Sequence, residues 1–279
     1  MSLPTIAEAL GYSAQLNSES PEVDVRLLLC RVLDVDSNYL RMWPDKSLTE
    51  SQVEAFQNLF EQRKSGVPVA HLLGTRGFWT LDLEVSAETL IPRPDTECLV
   101  EYILEHFDLA PKRMLDLGTG TGAIALAIAA ERPEWKVLAT DYKQSIVDLA
   151  VRNALQHKIA NIDFAVGSWF EAVHEGHDFD LIVSNPPYID GADHHLDHGD
   201  VRFEPRSALV AAENGFSDLR HIAERAPDVL VNGGMLCFEH GYEQGEQLRS
   251  LLADLGYSGM QTHRDYGGND RFTTARFVK

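Results

Sequence analysis

Residues 114–131 read MLDLGTGTGAIALAIAAE. A short apolar run breaks into three glycines separated by single threonines, and an Ala/Ile/Leu stretch of helical length follows. The pattern predicts a strand, a tight turn and a helix. Glycines let the backbone turn sharply and approach a ligand closely, and the helix N-terminus behind them offers free N–H groups. Working outward, KVLATD, IDFAV, DLIVSN and MLCFEH read as strands, and SIVDLAVRNAL and LRHIAERAPDVL as helices. Such alternation predicts an α/β fold, a Rossmann-like parallel sheet with helices on both faces. The closing stretch GYSGMQTHRDYGGNDRFTTARFVK reads as two strands joined by a turn-rich YGGND, an antiparallel edge pair.

Upstream of the sheet the period changes. Ile6, Ala9 and Leu10, then Val23, Leu27 and Leu28, then Val53, Phe56, Leu59 and Phe60 recur at helical spacing. Ser20-Pro21-Glu22 and the Ser47 to Glu50 region are helix starts. RGFWTLDLEVSAETL (76–90) alternates with period 2. The expected organisation is a helical bundle over 1–75, a β-hairpin linker over 76–90 and the α/β domain over 91–279.

The chain has 279 residues, enough for two domains of ordinary size. No apolar run approaches the roughly 18 residues that a membrane-spanning helix needs, and the first residues lack the basic and apolar regions of a signal peptide. The cytoplasm is the expected compartment. Cys30, Cys98 and Cys237 are scattered, so neither a disulfide framework nor a cysteine zinc site is expected. A formal charge of −19 disfavours nucleic acid as a direct partner, because gripping a phosphate backbone needs a basic face.

The glycine turn fits a nucleoside cofactor. Asp141 ends the next strand, where a carboxylate can accept both ribose hydroxyls. GTGTGA also fits the dinucleotide pattern, which alone is a weak signal. Asp116 leans away from it: a carboxylate just before the turn would oppose a pyrophosphate but suit the cationic methionine end of S-adenosylmethionine. The expected cofactor-binding residues are therefore Asp116, Gly118, Thr119, Gly120, Thr121, Gly122 and Asp141.

A second motif lies at the end of another strand, in IVSNPPYI (182–189). Pro186 and Pro187 fix their own φ and donate no hydrogen bond, so the strand stops there and the turn is stiff. A planar NH2 group needs two acceptors. The Asn185 side-chain oxygen and the Pro186 carbonyl supply them, and Tyr188 can stack on the flat group. Held so, the nitrogen lone pair faces an incoming methyl group. Asn185, Pro186, Pro187 and Tyr188 are the candidate catalytic residues, with Asn185 also beside the cofactor.

NPPY downstream of a DxGxGxG turn resembles the amino-methyltransferases of exocyclic amines and glutamine amides. Together with LIPRPDTE (90–97), GDVRFEP (199–205), RDYGGNDR (264–271) and PVAHLLG (68–74), it resembles the release-factor glutamine methyltransferases, the PrmC/HemK family, over nearly the whole chain. The resemblance implies a class I methyltransferase sheet, with S-adenosylmethionine against Gly118 to Gly122, Asp141 on its ribose and Trp169 near its adenine. It implies methylation of a glutamine side-chain nitrogen (N5) in peptide chain release factors, with the helical domain helping to dock them.

Two other readings compete. An adenine N6 methyltransferase acting on nucleic acid would need basic patches, yet the first 75 residues carry six basic against ten acidic side chains. A non-catalytic nucleoside-binding module would have no use for Asn185. The loop DGADHHLDHGD (190–200) offers Asp193, His194, His195, Asp197, His198 and Asp200 at mixed spacing without the fixed geometry a metal centre needs. No metal is expected, and this loop is expected to be a solvated, weakly constrained lid.

Overall fold

Among the described residues, seven of the eleven strands build one mixed sheet around the glycine turn. The computed structural model describes residues 3–173 and 178–279. Its strands are β1 (Thr75–Phe78), β2 (Leu81–Glu84), β3 (Arg113–Leu117), β4 (Lys136–Asp141), β5 (Ile162–Val166), β6 (Phe179–Ser184), β7 (Ile189–Asp190), β8 (Val210–Ala211), β9 (Leu230–Glu239), β10 (Ser258–Arg264) and β11 (Asp270–Arg276). The sheet order is β10-β11-β9-β6-β3-β4-β5. Strands β9, β6, β3, β4 and β5 are parallel, and β11 runs antiparallel between β9 and β10. This is the Rossmann-like α/β sheet that the sequence predicts, with its antiparallel C-terminal pair.

The alternation of side chains along these strands separates two cores. Met114, Val137, Ala139, Leu181, Val183 and Cys237 pack on one face with the helices Pro94–His106 and Ala123–Glu131. Leu115, Leu117, Ile182, Leu236 and Phe238 pack on the other with the helices Ser217–Arg225 and Gly245–Asp254. A period of 2 sends successive residues to opposite faces, so a sheet covered on both sides reads as a continuous apolar run.

The chain leaves β3 toward β4 and β5 and returns to the opposite side of β3 at β6. Strand order reverses there, and the C-terminal ends of β3 and β6 open the crevice where such sheets bind ligands. Leu117 pairs with Ser184, so the glycine turn and Asn185 leave neighbouring strands at the same level. Strand β9 begins at Leu230, before the MLCFEH stretch that the sequence marks. Asn232-Gly233-Gly234 lacks strand propensity and falls in the irregularity between the Phe179–Leu230 and Leu181–Met235 pairs, where Gly233 donates to the Phe277 carbonyl at 2.7 Å and Phe277 to the Gly234 carbonyl at 2.9 Å.

By its internal packing the chain forms two compact units. One is the chain up to Thr75 with His194–Phe203, and the other is Arg76–Asp193 with Glu204–Lys279. The first contains the helices Ile6–Leu10, Pro21–Leu33, Ser37–Met42, Glu50–Lys64 and Val69–Leu73. Thr5 and Thr49 cap two of them with capping boxes. Its core is Ile6, Ala9, Val25, Leu28, Leu29, Leu40, Leu48, Phe56 and Phe60. Val23, expected inside, is exposed in the first turn of its helix, and Val25 and Leu29 face the core beside Leu28.

Within this unit Arg63 donates to Asp24 at 2.7 Å and to Asp200 at 2.8 Å. Arg202 donates to the Ser65 carbonyl at 3.1 Å. The expectation of a weakly constrained loop fails at this end: Leu196 is buried and Asp200 is ion-paired. Arg63 is nearly buried and needs compensating charge, and Asp24 and Asp200 both supply it. Among the described residues no helix is long and apolar enough to cross a membrane.

Candidate active site

At the C-terminal ends of β3 to β6 lies a cavity of about 1050 Å³ including its open mouth. Asp116, Gly118, Thr119, Gly120, Thr121, Asp141, Trp169, Asn185, Pro186 and Pro187 all line it. Two predicted residues do not. Gly122 has φ +84° at the start of the helix, and a Cβ there would lie 2.8 Å from Leu126, so it serves close packing beneath the turn. Tyr188 is not among the lining residues: its ring is partly buried against the cluster of Leu115 and Phe238, and its hydroxyl donates to Glu239 Oε1 at 3.4 Å. Burial lifts the Tyr188 phenol far above its ordinary range, the Glu239 charge adds to the rise, and the phenol remains a neutral donor.

Glycines at 118 and 120 both have positive φ. They bend the turn so that Gly118 and Thr119 donate to the Thr140 carbonyl at 3.0 and 2.9 Å, and Gly120 donates to Asp141 Oδ2 at 3.0 Å. A Cβ on Gly118 would meet the Trp169 ring at 3.5 Å, so the indole roofs the turn. Trp169 itself has φ +50° at the head of a short 3-10 helix after β5. Glu171 anchors this bend by accepting from the Ser168 amide at 3.0 Å.

Asp116 is 1 % exposed and accepts the Thr119 hydroxyl at 2.7 Å through Oδ2. Its Oδ1 has no hydrogen-bond partner, and neither has Asp141 Oδ1. Burial pushes the Asp116 carboxyl up to about 7 against the pull of the Thr119 hydroxyl, and the Asp141 charge adds to the rise. Burial also raises Asp141, opposed first by the Gly120 amide bonded to its Oδ2 and then by the nearby Tyr142 and Lys143 amides, which do not reach hydrogen-bonding geometry. Two unsatisfied carboxylate oxygens in one cavity call for a ligand that brings hydroxyl donors and positive charge. A nucleoside with a cationic amino-acid end fits, and a pyrophosphate does not.

Asn185 leaves β6 half-buried, and among the described residues its side-chain amide makes no hydrogen bond. Ser184 behind it donates to the Leu117 carbonyl at 2.7 Å, fastening the root of the turn to β3. Sequence reasoning gave no individual role to Arg93, Thr96 and Ser207, which line the same cavity. Arg93 donates to the buried Glu204 at 2.6 Å, and Tyr142 to Ser207 at 3.2 Å. The signal was present in LIPRPDTE and GDVRFEP, which supply Arg93 and Glu204, but their pairing spans 111 positions.

The family described as PrmC N-terminal domain matches residues 6–74, and the family described as Methyltransferase small domain matches residues 94–204. A release factor glutamine methyltransferase of Aliivibrio fischeri is 53% identical over 261 residues, covering 94% of this chain and 92% of that protein. The release factor glutamine methyltransferase of Escherichia coli is 49% identical over 262 residues, with 94% of each chain covered. A solved methyltransferase from Pyrococcus furiosus shares the fold at 20% identity, with a TM-score of 0.54 over 80% of this chain and 98% of that one. Identity near one half along almost the full length, joined to this cavity, makes the chain a member of the release factor glutamine methyltransferase family.

Proposed function

We propose that this protein transfers a methyl group from S-adenosylmethionine to the side-chain amide nitrogen (N5) of a glutamine in peptide chain release factors. The observation that carries the proposal is Asn185, unbonded and half-buried, opening into the same cavity as the two unsatisfied aspartates. The names of the relatives point to the same substrate. Bound S-adenosylmethionine supplies a methyl group on a positively charged sulfonium. Asp116 holds the cationic amino-acid end, Asp141 accepts the ribose hydroxyls, Trp169 covers the adenine, and the glycine turn lets the backbone come close.

An amide nitrogen is a poor nucleophile because its lone pair is delocalised into the carbonyl. Positioning therefore has to supply much of the rate, and well-oriented reactants gain up to about 7–11 kcal/mol. The Asn185 side-chain oxygen and the Pro186 carbonyl accept the two amide hydrogens. Both hydrogen bonds strengthen as positive charge develops on nitrogen, so they stabilise the transition state more than the ground state. No base has to ionise the amide beforehand, and the surplus proton leaves to water after transfer.

In the same proposal the helical unit docks the release factor, no nucleic acid is bound directly, and the cytoplasm is the working compartment. The division into a docking domain over 1–75, a linker over 76–90 and a catalytic domain over 91–279 follows from this. The test is mass spectrometry of a purified release factor after incubation with this protein and isotopically labelled S-adenosylmethionine. A label on a glutamine side-chain nitrogen is expected. An unmodified release factor, or a label found on nucleic acid instead, would overturn the assignment.

A further inference from the structure

We infer that Gln244 is a positioning residue for the Asn185 turn and that the left-handed turn Glu213–Gly215 backs it. The inference rests on the reading of Asn185 as the group that holds the substrate amide. Gln244 Nε2 donates to the Tyr188 carbonyl at 2.9 Å, and the Gly241 amide donates to Gln244 Oε1 at 2.8 Å. One end of the side-chain amide thus needs a donor and the other an acceptor, so both partners together fix its orientation.

Gly215 closes on the same carbonyl from another side. A Cβ at that position would lie 2.1 Å from the Tyr188 oxygen and 2.9 Å from Gln244 Nε2, and its φ is +86°. Glu213 and Asn214 before it both have φ +54°. Successive non-glycine residues in this region are costly and persist where the surroundings hold them. The purpose that fits here is to bring the Gly215 backbone flush against Tyr188.

The carbonyl matters because of what precedes it. Pro186 and Pro187 have fixed φ, so the segment from Asn185 to Tyr188 has little slack. Its first end is tied by Ser184 to the Leu117 carbonyl, and just past its second end the Ile189 amide donates to the Leu209 carbonyl at 2.9 Å. With Tyr188 held through its hydroxyl by Glu239 and through its carbonyl by Gln244, a displacement at Tyr188 is passed to Asn185.

The test uses the full chain with Gln244→Glu and Gly215→Ala. Gln244→Glu keeps the acceptor for Gly241 and nearly the same size, but sets a carboxylate oxygen against the Tyr188 carbonyl. The expected result is a fall in kcat of about ten- to a hundredfold, the scale of a small misplacement of reacting groups. The Kd for S-adenosylmethionine should stay at its wild-type value while kcat falls, a split that a merely structural role would not give, and the repulsion at the Tyr188 carbonyl should lower the melting midpoint without unfolding the protein at the assay temperature. Wild-type kcat in Gln244→Glu, or a loss of cofactor affinity in step with kcat, overturns the role of Gln244. If Gly215→Ala fails to fold, Gln244→Glu alone decides. A wild-type protein that leaves the release factor unmodified would overturn the underlying reading of Asn185 instead.

Discussion

Asp116, next to last in β3, and Asp141, last in β4, lie on adjacent parallel strands, Asp116 pairing with Ala139 two residues short of Asp141. Each bonds the glycine turn through Oδ2 and leaves Oδ1 without a donor. Two buried carboxylates facing one cavity are held there at a cost in solvation, which a ligand carrying positive charge and hydroxyl donors would offset.

Cofactor affinity should depend on pH through Asp116. A cation binds its ionised form, so binding lowers the carboxyl from the value of about 7 that burial gives it and releases a proton. The affinity for S-adenosylmethionine is expected to be level above pH 7 and to weaken toward tenfold per unit below it. Titration calorimetry from pH 5.5 to 8.5 checks this, and a flat profile would contradict it.

The same group should weaken the ligand-free fold at neutral pH. An unfolded aspartate ionises near about 3.9, whereas folded Asp116 does so near 7. Between these values the folded state keeps a proton that the unfolded state has lost, so stability from this group falls as pH rises from about 4 to 7. Asp116→Asn is expected to raise the melting midpoint at pH 8, to leave it near wild type at pH 4, and to weaken cofactor binding. Thermal melts at the two pH values measure it.

Asn185→Ala should separate chemistry from binding. The rate of release-factor methylation is expected to fall by about 10²- to 10³-fold, the range for removing one preorganised group that stabilises a transition state. The Kd for S-adenosylmethionine should change little. Single-turnover kinetics beside calorimetry would reveal a normal rate if the turn has another purpose.

Arg63→Ala should destabilise the helical unit strongly, because Asp24 would remain buried without its counter-charge. Losing one partner of a buried pair costs about 3–5 kcal/mol. Asp200→Ala should cost less than about 1 kcal/mol, since the Asp200 side chain is 40% exposed. Urea denaturation of the two variants gives the comparison, and equal midpoints would show that the ion pair with Asp24 contributes little.

What the sequence shows about this fold is what local rules govern. Strands β3 to β6 and the helix Ala123–Glu131 are apolar, of ordinary length and bounded by turn residues, and they lie where their patterns place them. The cavity lining from Asp116 to Thr121 was legible because glycines and a carboxylate at a strand end have few other uses. The anchoring of Tyr188 is not legible in the sequence, since Glu239 and Gln244 hold it from 51 and 56 positions away. The attachment of Asp200 to Arg63 was hidden in the same way, 137 positions apart. Val23 was misplaced because a helix's apolar stripe is vaguest in its first turn, where few neighbours constrain the phase.

The chain carries four tryptophans, and their surroundings differ widely. Trp135 is sealed in the core and Trp43 is largely open to solvent, whereas Trp169 alone lines the cavity, against Gly118. A planar chromophore arriving beside that indole would change its emission while the other three go on reporting unaltered environments. With the cofactor placed as proposed, the protein would carry its own optical gauge of occupancy, readable without any attached label.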